Sequence, residues 1–199
     1  MNSKKLFSAV FFLFSSIVLG IGIYEILPII STVSHNFGVN SASSLKVSTF
    51  FSLSYALGFL VVAKLNGKIA ARKMLLISLS IVALFTLAIG FAKNYVSLLT
   101  LRFFQGAFSS FFTPIILSTV TKIFSQEWVP VVNSMVTSGF MLASVFGQLL
   151  AMYCVNTWGW KVLFIIQFLL IVIVIIGLYV ILPLKPEASG PRIKSVQVK

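Results

Sequence analysis

The chain has 199 residues, of which 59% are apolar and only 9% charged, against roughly 25% charged in a soluble domain. So few charges cannot cover a water-exposed globule, so the apolar segments require lipid as solvent. The formal net charge of +12 does not point to nucleic acid, because the basic residues sit at the edges of apolar runs, where membrane topology accounts for them.

Six apolar runs are long enough to cross a hydrocarbon core as helices, for which about 17–25 residues suffice. They cover residues 6–30, 47–65, 74–91, 96–119, 131–153 and 162–182. None shows the period-two alternation of a barrel strand, and helices satisfy every backbone polar group in lipid. The first run follows Lys4 and Lys5. It exceeds the h-region of a signal peptide and lacks an A-x-A site, so it is expected to be retained. Residues 31–46, rich in Ser, Asn and Gly, read as a loop. His35, the single histidine, falls in it without companions for a metal site. Residues 64–73 form a basic connection holding Lys64, Lys68, Arg72 and Lys73. Residues 92–95 are a tight turn, 121–130 a polar loop closed by Pro130, a residue suited to a helix start. The lone Cys154 reads as a small buried hydrophobe. Residues 1–182 thus form the transmembrane bundle. Residues 183–199, with Pro183, Pro186, Gly190 and Pro191, form a basic tail or linker.

Eleven basic residues fall on the side of the N-terminus and three, Lys46, Lys93 and Lys161, on the other, with Arg102 inside a span. Positive-inside asymmetry then places both termini in the cytoplasm. Trp128 at one side and Trp158 and Trp160 at the other lie at run ends, as interfacial aromatics do.

Two charges fall within the spans, Glu25 and Arg102. Charges in the bilayer are costly, face a partner or a wet cavity, and mark functional sites by default. At 1.5 Å rise per residue both lie roughly 8–9 Å below the outer surface, so a pair of opposite charges is expected. The alternatives are a static ion pair or an arginine that snorkels to the interface. In the fifth run Gly139, Ala143 and Gly147 recur at spacing four. Such a small-residue stripe admits a close helix neighbour, and it is expected to serve the pairing of two copies of the chain as well.

The segment Leu101-Arg102-Phe103-Phe104-Gln105-Gly106 resembles the R-x-x-Q-G motif on the fourth helix of Major Facilitator Superfamily transporters. The stretch Glu25-Ile26-Leu27-Pro28, followed by Asn36-Phe37-Gly38-Val39-Asn40, is similar to the first helix and its loop in drug- and sugar-efflux members, and Trp158-Gly159-Trp160-Lys161-Val162-Leu163-Phe164 to the W-R-W-x-F segment before their sixth helix. The 2–3 loop resembles G-x-x-x-D-R-x-G-R-R but carries Gly67 in place of the acid, with Ala63 and Ala70 in place of glycines. The fifth helix resembles the antiporter motif without its proline.

The resemblance implies an all-α integral membrane fold, six transmembrane helices arranged as two three-helix inverted repeats, half of a complete transporter. It also implies proton-coupled efflux of a small organic or drug-like solute across the plasma (inner) membrane, with Glu25 and Arg102 coupling proton and substrate. Tyr24, Pro28, Gln105 and Gly106 would be their neighbours. Lys68, Arg72 and Lys73 are expected to act as topology determinants, since the acid of the loop is missing. The implied partners are lipid, a solute, protons, and a second six-helix half or a second copy; no cofactor, metal or nucleic acid is implied. A non-transporting remnant or helix-packing partner is the rival reading. An enzyme is excluded, since the chain has no HExxH, no Ser/His/Asp set and no acidic pair.

Overall fold

The computed structural model describes residues 3–65 and 69–182. These form α1 (Ser3–Tyr24), a 3₁₀ turn (Leu27–Ile29), α2 (Ile30–Phe37), α3 (Ser41–Leu65), α4 (Ala71–Gly90), α5 (Tyr95–Ser109), α6 (Phe112–Ile123), α7 (Val129–Trp158) and α8 (Trp160–Ile181). Among the described residues there are six rods long and apolar enough to cross a membrane: Ser3–Phe37, Ser41–Leu65, Ala71–Gly90, Tyr95–Ile123, Val129–Trp158 and Trp160–Ile181. The six expected spans are therefore present, with longer ends than apolar runs alone define.

The expected loop over residues 31–46 is mostly helix. Here α2 continues to Phe37 and α3 begins at Ser41. Polar residues need not leave a helix where it emerges from lipid, and the actual stop is Gly38, whose φ of 61° closes α2 through its N–H to the Ser34 carbonyl. Asn40 then accepts a hydrogen bond from the Ser43 N–H at 2.8 Å, an N-cap for α3. At the same end, Asn94 and Ser97 form a reciprocal capping box that starts α5.

The first and fourth rods are not continuous helices, contrary to expectation, and proline explains both breaks. A proline ring clashes with the carbonyl four residues earlier and supplies no N–H to it. Pro28 acts on the carbonyl of Tyr24, the last residue of α1, and Pro114 on that of Ser110, just past the end of α5.

The rods pack in a pattern of exchange. The first packs on the fifth (α1 on α7), the second on the fourth (α3 on α5), and the third on the sixth (α4 on α8). Renaming rods 1, 2, 3 as 4, 5, 6 and the reverse leaves these pairs unchanged. That is the relation expected between two inverted three-helix repeats, and the two proline-broken rods, 1 and 4, are counterparts under it.

Two apolar clusters fill the bundle. One, toward the N-terminal end, includes Phe12, Leu19, Leu79, Ala83, Phe112, Val136 and Ile171. The other, toward the opposite end, includes Ile26, Ile89, Leu98, Ala151 and Phe164. On rods 1, 3, 4 and 6 the residues between the clusters are polar: Glu25, Thr86, Arg102 with Gln105, and Gln167, all buried.

Candidate functional site

That polar layer is built on Arg102. Its guanidinium Nη1 donates to Glu25 Oε1 at 3.1 Å and to Gln105 Oε1 at 2.7 Å. Its Nη2 donates to the Gly22 carbonyl at 3.0 Å. Its face lies 4.5 Å from the centroid of the Phe51 ring, a cation–π contact. Arg102 and Glu25 are both wholly buried, and theirs is the only ion pair among the described residues. The Gln105 amide goes on to donate to Thr86 Oγ1 at 2.8 Å, and Thr86 in turn to the Val82 carbonyl at 2.8 Å. From the sixth rod, Gln167 donates to the Val18 carbonyl of α1 at 2.7 Å. The layer thus draws side chains from rods 1, 2, 3, 4 and 6.

Placement follows from helix period and backbone. Arg102 and Gln105 are three residues apart, hence neighbours on one face of α5. Glu25 sits one residue beyond α1, in the turn before Pro28, so its side chain is set by the proline break rather than by a regular helix. The two partners are unequal. Arg102 has three acceptors and a ring; Glu25 has Arg102 alone, and its Oε2 is buried with no hydrogen-bond partner, as are Arg102 Nε and Gln167 Oε1. The lone pairs of Glu25 Oε2 are free to accept a further donor.

The other expected residues occupy different places. Tyr24 ends α1 and Pro28 lies in the 3₁₀ turn, both partly buried. Gly106 packs against α3, where the Phe51 carbonyl and Ser54 hydroxyl leave no room for a Cβ, so it is a packing residue of the α3–α5 contact. Gly139, Ala143 and Gly147 do form a close-packing stripe, but it faces α1 of the same chain. A Cβ at Gly139 would come within 2.6 Å of Ser16 Cβ and 2.8 Å of the Leu13 carbonyl, and one at Gly147 within 3.1 Å of Ile21 Cα. The expectation that this stripe pairs two copies is therefore corrected, because α1 already covers it. Lys68 lies outside the described residues, as do Gly67 and the tail 183–199. Lys73 is exposed. Arg72 is engaged: its Nη2 donates to the Tyr179 carbonyl near the end of α8 at 2.7 Å, and its guanidinium lies 4.4 Å over the Tyr179 ring. Cations are favoured at a helix C-terminus, so Arg72 ties the start of α4 to the end of α8. Thr86, Gln167 and Phe51 were not singled out from sequence. A neutral polar residue repeated at matching depth in several apolar runs is the signal that finds the first two; nothing in the sequence marks Phe51 among 20 phenylalanines.

The family model of the Major Facilitator Superfamily matches residues 10–198. An uncharacterised transporter of Schizosaccharomyces pombe is 31% identical over 169 residues, 82% of this chain and 30% of its own length. An uncharacterised transporter of this type from Mycobacterium tuberculosis is 26% identical over 136 residues, 68% of this chain and 24% of its own length. The chain thus spans less than a third of the length of these curated relatives. The crystal structure of a bacterial homologue of the human lysosomal transporter Spinster, inward-facing and unoccupied, superposes with a TM-score of 0.84 at 16% identity, over 98% of this chain and 47% of that one. The six-rod architecture, the exchange of its repeats and the match along nearly the whole sequence together place this multi-pass membrane chain in the Major Facilitator Superfamily.

Proposed function

We propose that the chain forms the N-terminal six-helix half of a proton-coupled exporter of small organic solutes, and that it transports only together with a second six-helix unit. The observation that carries this reading is the buried Glu25–Arg102 pair with its vacant carboxylate oxygen. In a dry site a carboxylate beside a cation stays ionised, and one whose cation turns away binds a proton. Separation and re-formation of the pair would thus alternate proton uptake with release, and a cationic solute would compete for the same carboxylate. Transporters of this architecture place their substrate site between repeats near the midplane, and the polar layer lies between the two apolar clusters. We place both termini in the cytoplasm of a plasma-membrane protein, on the eleven-to-three asymmetry of basic residues.

The test uses liposomes holding the chain alone or co-assembled with a second six-helix half, under an imposed pH gradient, with ethidium as the probe solute. Gradient-driven, saturable ethidium movement is expected only in the co-assembly, and Glu25→Gln is expected to abolish it. Saturable transport by strictly monomeric chain, or an unchanged pH dependence in Glu25→Gln, overturns the reading. Reporter fusions at Lys199 and Asn40 are expected on opposite sides of the membrane; an external Lys199 overturns the orientation.

A further inference from the structure

At the end of the bundle opposite the N-terminus, a cleft of about 410 Å³ opens between the end of α2, the α4–α5 connection and the α7–α8 junction. Its lining includes Asn36, Lys93, Trp158, Trp160 and Lys161. Its walls are fixed by neighbours. The Trp160 indole N–H donates to the Ile89 carbonyl at 3.3 Å, and the Trp160 ring meets Phe37 edge-on at 5.9 Å. The Lys161 ammonium rests 5.6 Å over the Phe91 ring.

The charge of this cleft has no internal answer. Among the described residues the carboxylates are Glu25, engaged by Arg102, and Glu127, which lies in the connection between rods 4 and 5. Counting rods from the N-terminus, the 4–5 connection is at the N-terminal end, whereas the 1–2, 3–4 and 5–6 connections are at the other. Lys93 and Lys161, and Lys46 nearby in sequence to the 1–2 connection, therefore share their end with no described acid. Helix α8 also starts at this cleft with no side chain capping its first turn, which adds the positive end of a helix dipole to two ammonium groups. Tryptophans at rod ends settle at the headgroup level of a bilayer, which brings lipid phosphates within reach of this cleft.

We infer that the cleft is a binding site for the phosphate of an anionic membrane lipid, with Lys93 and Lys161 as its cationic contacts and Trp158 and Trp160 as its apolar walls. The inference is independent of what the polar layer transports.

It is tested on the whole chain purified in mild detergent and titrated with phosphatidylglycerol or phosphatidylcholine, bound lipid being counted by native mass spectrometry. Each lysine near a charged lipid surface contributes enough to change affinity about fivefold, and two together about 30-fold. The variant Lys93→Gln/Lys161→Gln is expected to lose about 30-fold in phosphatidylglycerol affinity and Lys93→Gln alone about fivefold, with unfolding midpoints unchanged. Removal of two charges at the far end, Lys4→Gln/Lys5→Gln, is expected to leave binding as it was. Equal affinity for phosphatidylcholine, retention of phosphatidylglycerol by the double variant, or an equal loss in the Lys4/Lys5 variant overturns the site. Displacement of phosphatidylglycerol by millimolar inorganic phosphate overturns the lipid as its ligand.

Discussion

Helix α1 meets two neighbours in opposite ways. Against α7 the contact is backbone-close and made of small residues, Gly20 and Ser16 on one side and Gly139, Ala143 and Gly147 on the other. Against α5 it is made by the reach of long side chains, Arg102 to Glu25 and to the Gly22 carbonyl. The first kind of interface is held by dispersion at short range, and a methyl added at Gly20 or Gly139 would clash with the facing helix. The second can be opened by rotating side chains, at the cost of unsatisfied buried charge. One rod thus carries one face joined backbone to backbone and another joined through long side chains.

Four substitutions test this contrast, each read as a thermal unfolding midpoint in mild detergent. Arg102→Ala is expected to be the most damaging, about 3–5 kcal/mol, because it strands a buried carboxylate whose only partner it removes; adding Glu25→Gln should restore part of that loss but no transport. Should the single change be harmless, the α1–α5 contact does not hold the bundle together. Gly139→Ala is expected to cost about 1–3 kcal/mol, since the new methyl meets the Leu13 backbone and α1 must shift. Glu25→Gln is expected to cost less, under about 1.5 kcal/mol: the amide oxygen still accepts from Arg102, which keeps Gln105, Gly22 and Phe51. Its effect belongs to coupling, so a larger loss of stability than in Gly139→Ala would make the pair mainly structural. Gly22→Ala is expected to change stability least, within about 0.5 kcal/mol of neutral. There the nearest atoms to a Cβ are Gln167 Nε2 at 3.8 Å and Gln105 Nε2 at 3.9 Å. If Gly22→Ala and Gly139→Ala behaved alike, the two faces of α1 would not differ in kind.

Much of this was legible in the sequence because lipid enforces simple rules. Six long apolar runs, their basic flanks, and two charges at equal depth on runs 1 and 4 follow from composition and the helical rise. What was not legible is which face of each rod meets which neighbour. In these runs both lipid-facing and buried positions are apolar: Leu84 and Val180 are largely exposed while Leu79 and Val174 are buried, so hydrophobic periodicity carries little orientation. That is why the sequence does not say which neighbour the Gly139 stripe meets, and why it does not mark Phe51. Thr86 and Gln167 escaped because one neutral polar residue scarcely lowers the hydropathy of a run. The breaks near Glu25 and Ser110, by contrast, are written in Pro28 and Pro114, because a proline interrupts a helix even inside a continuous apolar run.

The close fit of α1 on α7 also has a consequence for how the chain is made. These partners are far apart in sequence: α1 ends at Tyr24 and α7 begins at Val129. At roughly 5–20 residues per second, the ribosome needs about 5–20 s to deliver the second after the first. During that interval the Ser16 and Gly20 face of α1, which α7 will cover, stands open in the bilayer or against whatever machinery receives it. This closely packed seam is thus among the last to close, and a lesion at Gly139 would show first as a nascent chain whose opening helix never finds its mate.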